Sequence, residues 1–226
     1  MTRSTILLIL HSLLGSCFAQ DLTWIPTPRL LGGIVKDIAV DRDGVVYASN
    51  DSGLYRYSHE GEWERYDQGV DAQVSVFELN SSGTLYAISD AGTLFRRSKK
   101  MKKFHLVSKN LGKVDEFVMG ENGVMFRTDR LEIFRSTDYG ITWKKCSNSL
   151  DSLLAFSVMD EPLPLWISSL ILTKEGDLFV GTASHGILQL ANGSSRSLQH
   201  VPTNWPDEVL SFGLGPSGEI YVGTSK

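Results

Sequence analysis

Five times along the chain a glycine-centred turn opens onto an apolar strand. The copies are Asp43-Gly44-Val45-Val46-Tyr47, Ser82-Gly83-Thr84-Leu85-Tyr86, Asn122-Gly123-Val124-Met125-Phe126, Glu175-Gly176-Asp177-Leu178-Phe179 and Ser217-Gly218-Glu219-Ile220-Tyr221. Their glycines lie 39, 40, 53 and 42 residues apart. A unit of this size cannot bury its apolar face alone and must stack on its neighbours; about 40 residues is the period of a four-stranded propeller blade. No helical periodicity of useful length interrupts the repeat. The expected fold is therefore an all-β propeller of four-stranded blades, with about four full blades and a partial fifth.

Period-two alternation bounded by turn residues places four strands, A to D, in each complete unit. Ile34 to Asp41, Val45 to Ser49, Gly53 to Tyr57 and Trp63 to Asp67 make the first, and the units fall near 34–69, 74–110, 113–149, 166–200 and 209–226 of a propeller domain spanning 21–226. The last unit holds only strands A and B before Lys226. Either this is a five-bladed ring with a defective final blade or a piece of a longer propeller. Stopping in mid-repeat favours the second, so the sequence reads as truncated. Leu22-Thr23-Trp24-Ile25 is similar to Ile141-Thr142-Trp143-Lys144 and is expected to lend an outer strand to the last blade, removing exposed edges.

Within the third unit lies Ser136-Thr137-Asp138-Tyr139-Gly140-Ile141-Thr142-Trp143. An aspartate able to turn back onto backbone N–H groups, a glycine able to take φ > 0 and a returning Thr-Trp predict a tight hairpin with the indole as a buried anchor. The string resembles the Asp-box of BNR-repeat β-propellers at Ser136, Asp138, Gly140, Thr142 and Trp143. That resemblance implies a structural hairpin on the rim with no part in chemistry. Ser58-His59-Glu60-Gly61-Glu62-Trp63 looks like a decayed copy. Gly176-Asp177-Leu178-Phe179-Val180-Gly181-Thr182 and Gly218-Glu219-Ile220-Tyr221-Val222-Gly223-Thr224 are similar to the regulator-type repeats of bacterial two-component sensor regions. Both resemblances speak to fold more than to activity, because propellers host many functions.

The first nineteen residues read as an export signal: Arg3, an apolar run from Ile6 to Leu14, and Cys17-Phe18-Ala19 as the cleavage site. Leu14-Gly15-Ser16-Cys17 also resembles a lipobox, which would make Cys17 a lipid anchor; plain secretion, or release to the periplasm or cell envelope, is the leading reading. Once the signal is gone Cys146 has no partner in the chain, so the domain relies on its sheet cores. The chain carries a charge of −4 from 22 basic and 26 acidic residues; losing Arg3 leaves −5, which gives no support to nucleic-acid binding.

In propellers the loops from strand D to the next strand A, together with the B–C loops, usually form the ligand face. Here three B–C loops bring an aspartate to that face, Asp51, Asp90 and Asp129, alongside Arg130 and His185. Such a mouth could bind a cation or polyol hydroxyls, or carry acid/base chemistry if two carboxylates met; the plainer reading is that each aspartate caps its own turn. The long D–A loop before the fourth unit contains Asp160, Glu161 and Trp166 and is stiffened by Pro162 and Pro164, a second candidate contact element. Arg96 to Lys103 concentrates six cations in eight residues. It reads as a solvated hairpin tip before it reads as a phosphate or sulfated-glycan patch.

No catalytic arrangement stands out. Histidines 59, 105, 185 and 200 lack metal-ligand spacing, no nucleophile elbow or phosphate loop is present, and no metal or cofactor is implied. The Phe-Arg-Ile-Pro type motif of sialidases is missing, since Phe134-Arg135-Ser136 keeps only its first two letters. The expectation is an exported binding or interaction scaffold rather than an enzyme, of the kind found in the sensor part of an envelope protein, meeting a glycan, small molecule or protein at its loop face. The alternative is a sialidase-like glycoside hydrolase or a lyase using rim carboxylates.

Overall fold

The computed structural model describes residues 30, 33–57, 61–120, 122–129, 132–146, 166–191, 198–203, 208–215 and 217–225. The export segment, the Leu22-Ile25 strand, Arg130, Asp160 and Glu161 lie outside them. Within the described residues the chain is built from antiparallel sheets, each made of strands consecutive in sequence. The first comprises β1 (Val35–Val40), β2 (Val46–Asn50), β3 (Gly53–Tyr57) and β4 (Trp63–Arg65). The second comprises β5 (Val74–Leu79), β6 (Leu85–Ser89), β7 (Leu94–Arg97) and β8 (His105–Ser108). The third holds β9 (Phe117–Met119), β10 (Met125–Asp129), β11 (Glu132–Ser136) and β12 (Lys144–Lys145). The fourth holds β13 (Ile167–Leu172), β14 (Leu178–Thr182), β15 (Ile187–Leu190) and β16 (Gln199–Val201), and β17 (Val209–Leu214) with β18 (Ile220–Thr224) forms a two-stranded unit.

The first strands pack one against the next, β1 on β5, β5 on β9, β9 on β13 and β13 on β17, so they stand innermost in a radial array. This is a β-propeller with four four-stranded blades and a partial one. The same irregularity recurs: β1, β5, β13 and β17 each carry a one-residue bulge near their start, between Val35 and Asp37, Val74 and Val76, Ile167 and Ser169, and Val209 and Ser211. A bulge bends the strand and redirects the side chains beyond it.

The cores lie between blades. Tyr47 and Leu54 of the first pack with Phe77, Leu85, Ala87 and Phe95 of the second. Tyr86, Ile88 and Leu94 of the second meet Phe117 and Met125 of the third. Phe126 and Ile133 of the third meet Leu170, Leu178, Val180 and Leu188 of the fourth. Both faces of a middle strand are thus covered, which is why β6 is buried at every position. Cys146 is buried and has no disulfide partner among the described residues. The outermost units have no such cover on their far sides among the described residues: Ile34, Ile38 and Val40 at one end, and Leu210, Leu214 and Tyr221 at the other, are exposed.

One residue breaks the apolar pattern of the inner face. Arg127 occupies the position held by Ala48, Ala87 and Val180 in the other complete blades. It is buried, stacks over Phe134 at 3.9 Å and Trp143 at 5.4 Å, and leaves its Nε and Nη1 without hydrogen-bond partners. Desolvation pushes its guanidinium pKa down.

Candidate functional site

Because strands alternate in direction, the B–C and D–A connections share one end of the array, and the A–B and C–D turns share the other. At the first end the rim aspartates sit one per blade, and Asp51 and Asp90 are engaged locally. Asp51, in the β2–β3 turn, pairs with Lys36 Nζ at 3.2 Å. Asp90, in the β6–β7 turn, accepts a 2.5 Å hydrogen bond from Ser75 Oγ, while its backbone N–H donates to Gln73 O. Asp129 closes β10 opposite Glu132. His185 Nδ1 lies 2.8 Å from Ser184 Oγ, and its N–H donates to Thr182 Oγ1. Among the described residues no hydrogen bond or ion pair joins Asp51, Asp90, Asp129 and His185 to one another. Trp166, just before β13, is 56% exposed and its carbonyl accepts from Ala183 N–H.

What the fold does bring together lies deeper, on the innermost strands. A cavity of about 330 Å³ opens between β1, β5, β9 and β13, lined by Asp37, Glu78 and Glu116 with Lys36, Ser75 and Leu170. Asp37 and Glu116 hold the same register position in their blades, opposite Ser49 and Thr128. Glu78 enters from β5. The bulge residues Lys36 and Ser75 line this cavity and also hold Asp51 and Asp90, tying the channel to the rim.

Burial is the main reason all three carboxyls bind protons more tightly than usual. Glu78 is pushed up to about 8, with the charges of Asp37 and Glu116 adding to desolvation and the Leu79 N–H opposing. Glu116 rises to about 7 through burial and then the nearby Asp37 and Asp115. Asp37 is raised by burial against hydrogen bonds from the Ile38 and Phe77 N–H groups. An open, acid-lined pocket of this kind can attract a cationic group, accept hydrogen bonds from hydroxyls, or supply a protonated carboxyl near neutral pH. Among the described residues no group of three or more His, Cys, Asp or Glu side chains is placed to hold a metal ion.

Sequence reading missed these acids because alternation identifies strands A without saying which side chains meet the axis. An acid at an inner-strand position of three consecutive units was the available signal.

At the opposite end, Ser136 to Trp143 links β11 to β12. Asp138 Oδ1 accepts from Thr142 N–H at 2.9 Å and from Ser136 Oγ at 2.7 Å, and Asp138 Oδ2 from Thr142 Oγ1 at 2.5 Å. Gly140 N–H donates to Ser136 Oγ at 2.9 Å, and Trp143 Nε1–H to Gly140 O at 3.0 Å. These bonds hold the Asp138 carboxyl down at about 2. Gly140 has φ +83°, and a Cβ there would stand 2.2 Å from Leu94 Cδ2, so only glycine fits. The indole is half-buried rather than fully enclosed, with one face packed on the core shared by the second and third blades.

The basic run divides. Arg97 is buried, donating to Tyr66 O and Gln68 Oε1 and stacking 3.5 Å over the Tyr66 ring. Lys99 bridges to Asp41 at 2.9 Å and to Asp43 in the first blade. Arg96, Lys100, Lys102 and Lys103 are exposed.

No protein-family model matches the chain, and no curated protein matches it by sequence. Solved structures do resemble it. The extracellular domain of the putative hybrid two component system BT4673 from B. thetaiotaomicron aligns over 91% of this chain and 27% of that one, with 18% identity and a TM-score of 0.60. Virginiamycin B lyase from Staphylococcus aureus aligns over 83% of this chain and 62% of that one, at 16% identity and TM-score 0.59. YCF48 from Cyanidioschyzon merolae aligns over 83% and 62%, at 13% identity and TM-score 0.60. These likenesses show a propeller fold, and the chain spans between 27% and 62% of the lengths of these three structures.

Proposed function

We propose that this chain is an exported β-propeller acting as a binding and interaction scaffold, of the sort that forms the sensor portion of an envelope protein. Its contact surface is the channel mouth with the rim around it. The observation that carries this reading is the convergence of Asp37, Glu78 and Glu116, from three successive innermost strands, on one cavity connected to Asp51 and Asp90. The pocket is open, acidic and polar, and it suits a small molecule, glycan or protein loop offering cationic or hydroxyl groups. The extracellular sensor domain among the similar structures supports the same compartment and role. The export reading of residues 1–19 agrees, with lipidation of Cys17 as the route to a membrane-anchored form. The test is calorimetric titration of a trilysine peptide and of neutral oligosaccharides into the mature chain. Saturable binding that weakens in Asp37→Asn/Glu116→Gln supports the scaffold; binding indifferent to both substitutions removes the channel mouth from it.

A second reading, a glycoside hydrolase or lyase, is favoured by one observation: a carboxyl raised to about 7 stands in the same cavity as two other acids, a setting suited to general acid chemistry. A lyase is also among the similar structures. Turnover of an aryl-glycoside panel that disappears in Glu116→Gln or Asp90→Asn would establish the enzyme, and a panel with no turnover would leave the scaffold.

A further inference from the structure

The face opposite the channel mouth carries a groove of about 450 Å³ between the second blade and the Ser136 to Trp143 hairpin of the third. Its wall holds Tyr86, Arg96, Tyr139, Ser81 and Ser98, with no carboxylate among the lining residues. We propose that this groove is a binding site for an anionic sugar, a hexose ring bearing a sulfate or carboxylate, distinct from the channel mouth.

The repeat itself singles out Arg96. In the first blade the register-equivalent Arg56 faces Glu64 across the sheet and is neutralised by it at 2.7 Å. In the second blade His105 stands where that glutamate would be. Among the described residues no carboxylate pairs with Arg96; its guanidinium lies near the Tyr86 phenol in the groove wall and is exposed to solvent. An uncompensated guanidinium beside a buried tyrosine is the planar two-pronged donor that sulfate and carboxylate groups match.

Tyr139 supplies the second element. Its backbone is in the left-handed region at φ 60°, an uncommon conformation for a bulky residue, and its N–H donates to Gly123 O at 3.1 Å. One face of the ring lies on Gly123, where a Cβ would stand 2.7 Å from three ring carbons; the residue is nevertheless 45% exposed. A rigid aromatic ring with one covered and one open face is a stacking platform for the apolar face of a sugar. The hydroxyls of Ser81 and Ser98 complete a wall able to meet ring hydroxyls. Lys100, Lys102 and Lys103 stand outside the groove and add only a diffuse attracting field.

The experiment is titration of a 6-sulfated hexosamine–uronic acid disaccharide into the mature chain, with lactose and sodium sulfate as separate arms. The variants are Arg96→Gln, Tyr139→Asn and the triple Lys100→Gln/Lys102→Gln/Lys103→Gln. Expected is saturable binding of the disaccharide that is at least about tenfold weaker for lactose, sulfate alone and Arg96→Gln, and changes less than about threefold in the triple variant. Tyr139→Asn, which keeps a residue tolerant of φ > 0, should also weaken it by about fivefold or more. No saturable binding, affinity lost with the lysines rather than with Arg96, or sulfate matching the disaccharide would each overturn the proposal. Should Tyr139→Asn disturb folding, the exposed Arg96→Gln decides the matter alone.

Discussion

Glutamine in place of Glu78 should make the protein more stable at neutral pH and leave it unchanged in acid. In the fold this carboxyl binds its proton up to about 8, against an ordinary value of 4.5. The unfolded chain therefore releases the proton first as pH rises. The native state binds more protons through that window, so the contribution of Glu78 to stability is fully present below pH 4.5 and is lost progressively up to about pH 8. Each pH unit in the window corresponds to about 1.4 kcal/mol, so reaching pH 7 costs about 3 kcal/mol. Glu78 is surrounded by protein but keeps some contact with solvent in the channel, and screening there reduces the effect to about 2–3 kcal/mol. Asp37 and Glu116 shift in the same direction, Asp37 through burial and Glu116 through burial and then the charges of Asp37 and Asp115. Thermal unfolding followed by circular dichroism from pH 4 to 9 measures this. Glu78→Gln should melt with the natural protein near pH 4 and about 5–10 °C above it at pH 7.5. Parallel curves across the range would refute a desolvated, coupled acid cluster.

Trp143→Ala should cost about 2–3 kcal/mol in urea unfolding, less than a fully enclosed indole would, because the ring is half-buried and loses one hydrogen bond to Gly140 O; a change under about 1 kcal/mol would mean the ring does not pack on the core. Arg127→Met fills similar volume without an unpartnered guanidinium and should raise stability by about 1–2 kcal/mol, the lost stacking on Phe134 being the smaller effect; a loss beyond about 1 kcal/mol would contradict it. The Asp138 carboxyl, held down by hydrogen bonds from Thr142 and Ser136, stabilises the hairpin above its ordinary 3.8, and that contribution fades as pH falls toward 2. A carboxyl carbon titration by NMR should find its midpoint near 2, and a midpoint near 4 would remove those bonds from solution.

The repeat was legible because each unit must meet two neighbours, which forces the same turn glycine and the same apolar B strand every time. Gly53 to Tyr57 forms a strand with the limits that alternation alone assigns. The channel acids were not legible. Which face of an inner strand meets the axis depends on a bulge, and moving one residue in register exchanges the two faces. Asp51 and Asp90 were readable as rim residues, but their ties to Lys36 and Ser75 join positions 15 residues apart that only the folded sheet makes neighbours. The charge run from Arg96 to Lys103 could not be divided from sequence, because Arg97 turns inward along the strand alternation while Lys99 finds its partners in the β1–β2 turn of another blade.

The central claim, that the acid-lined channel mouth is the contact surface, is tested most directly by the pH dependence of trilysine peptide binding. Ionisation of Glu116 and Glu78 across pH 6 to 9 should tighten binding steadily in the natural protein, and Asp37→Asn/Glu116→Gln should flatten the profile. An affinity constant across that range, or a profile the double substitution leaves untouched, would contradict it.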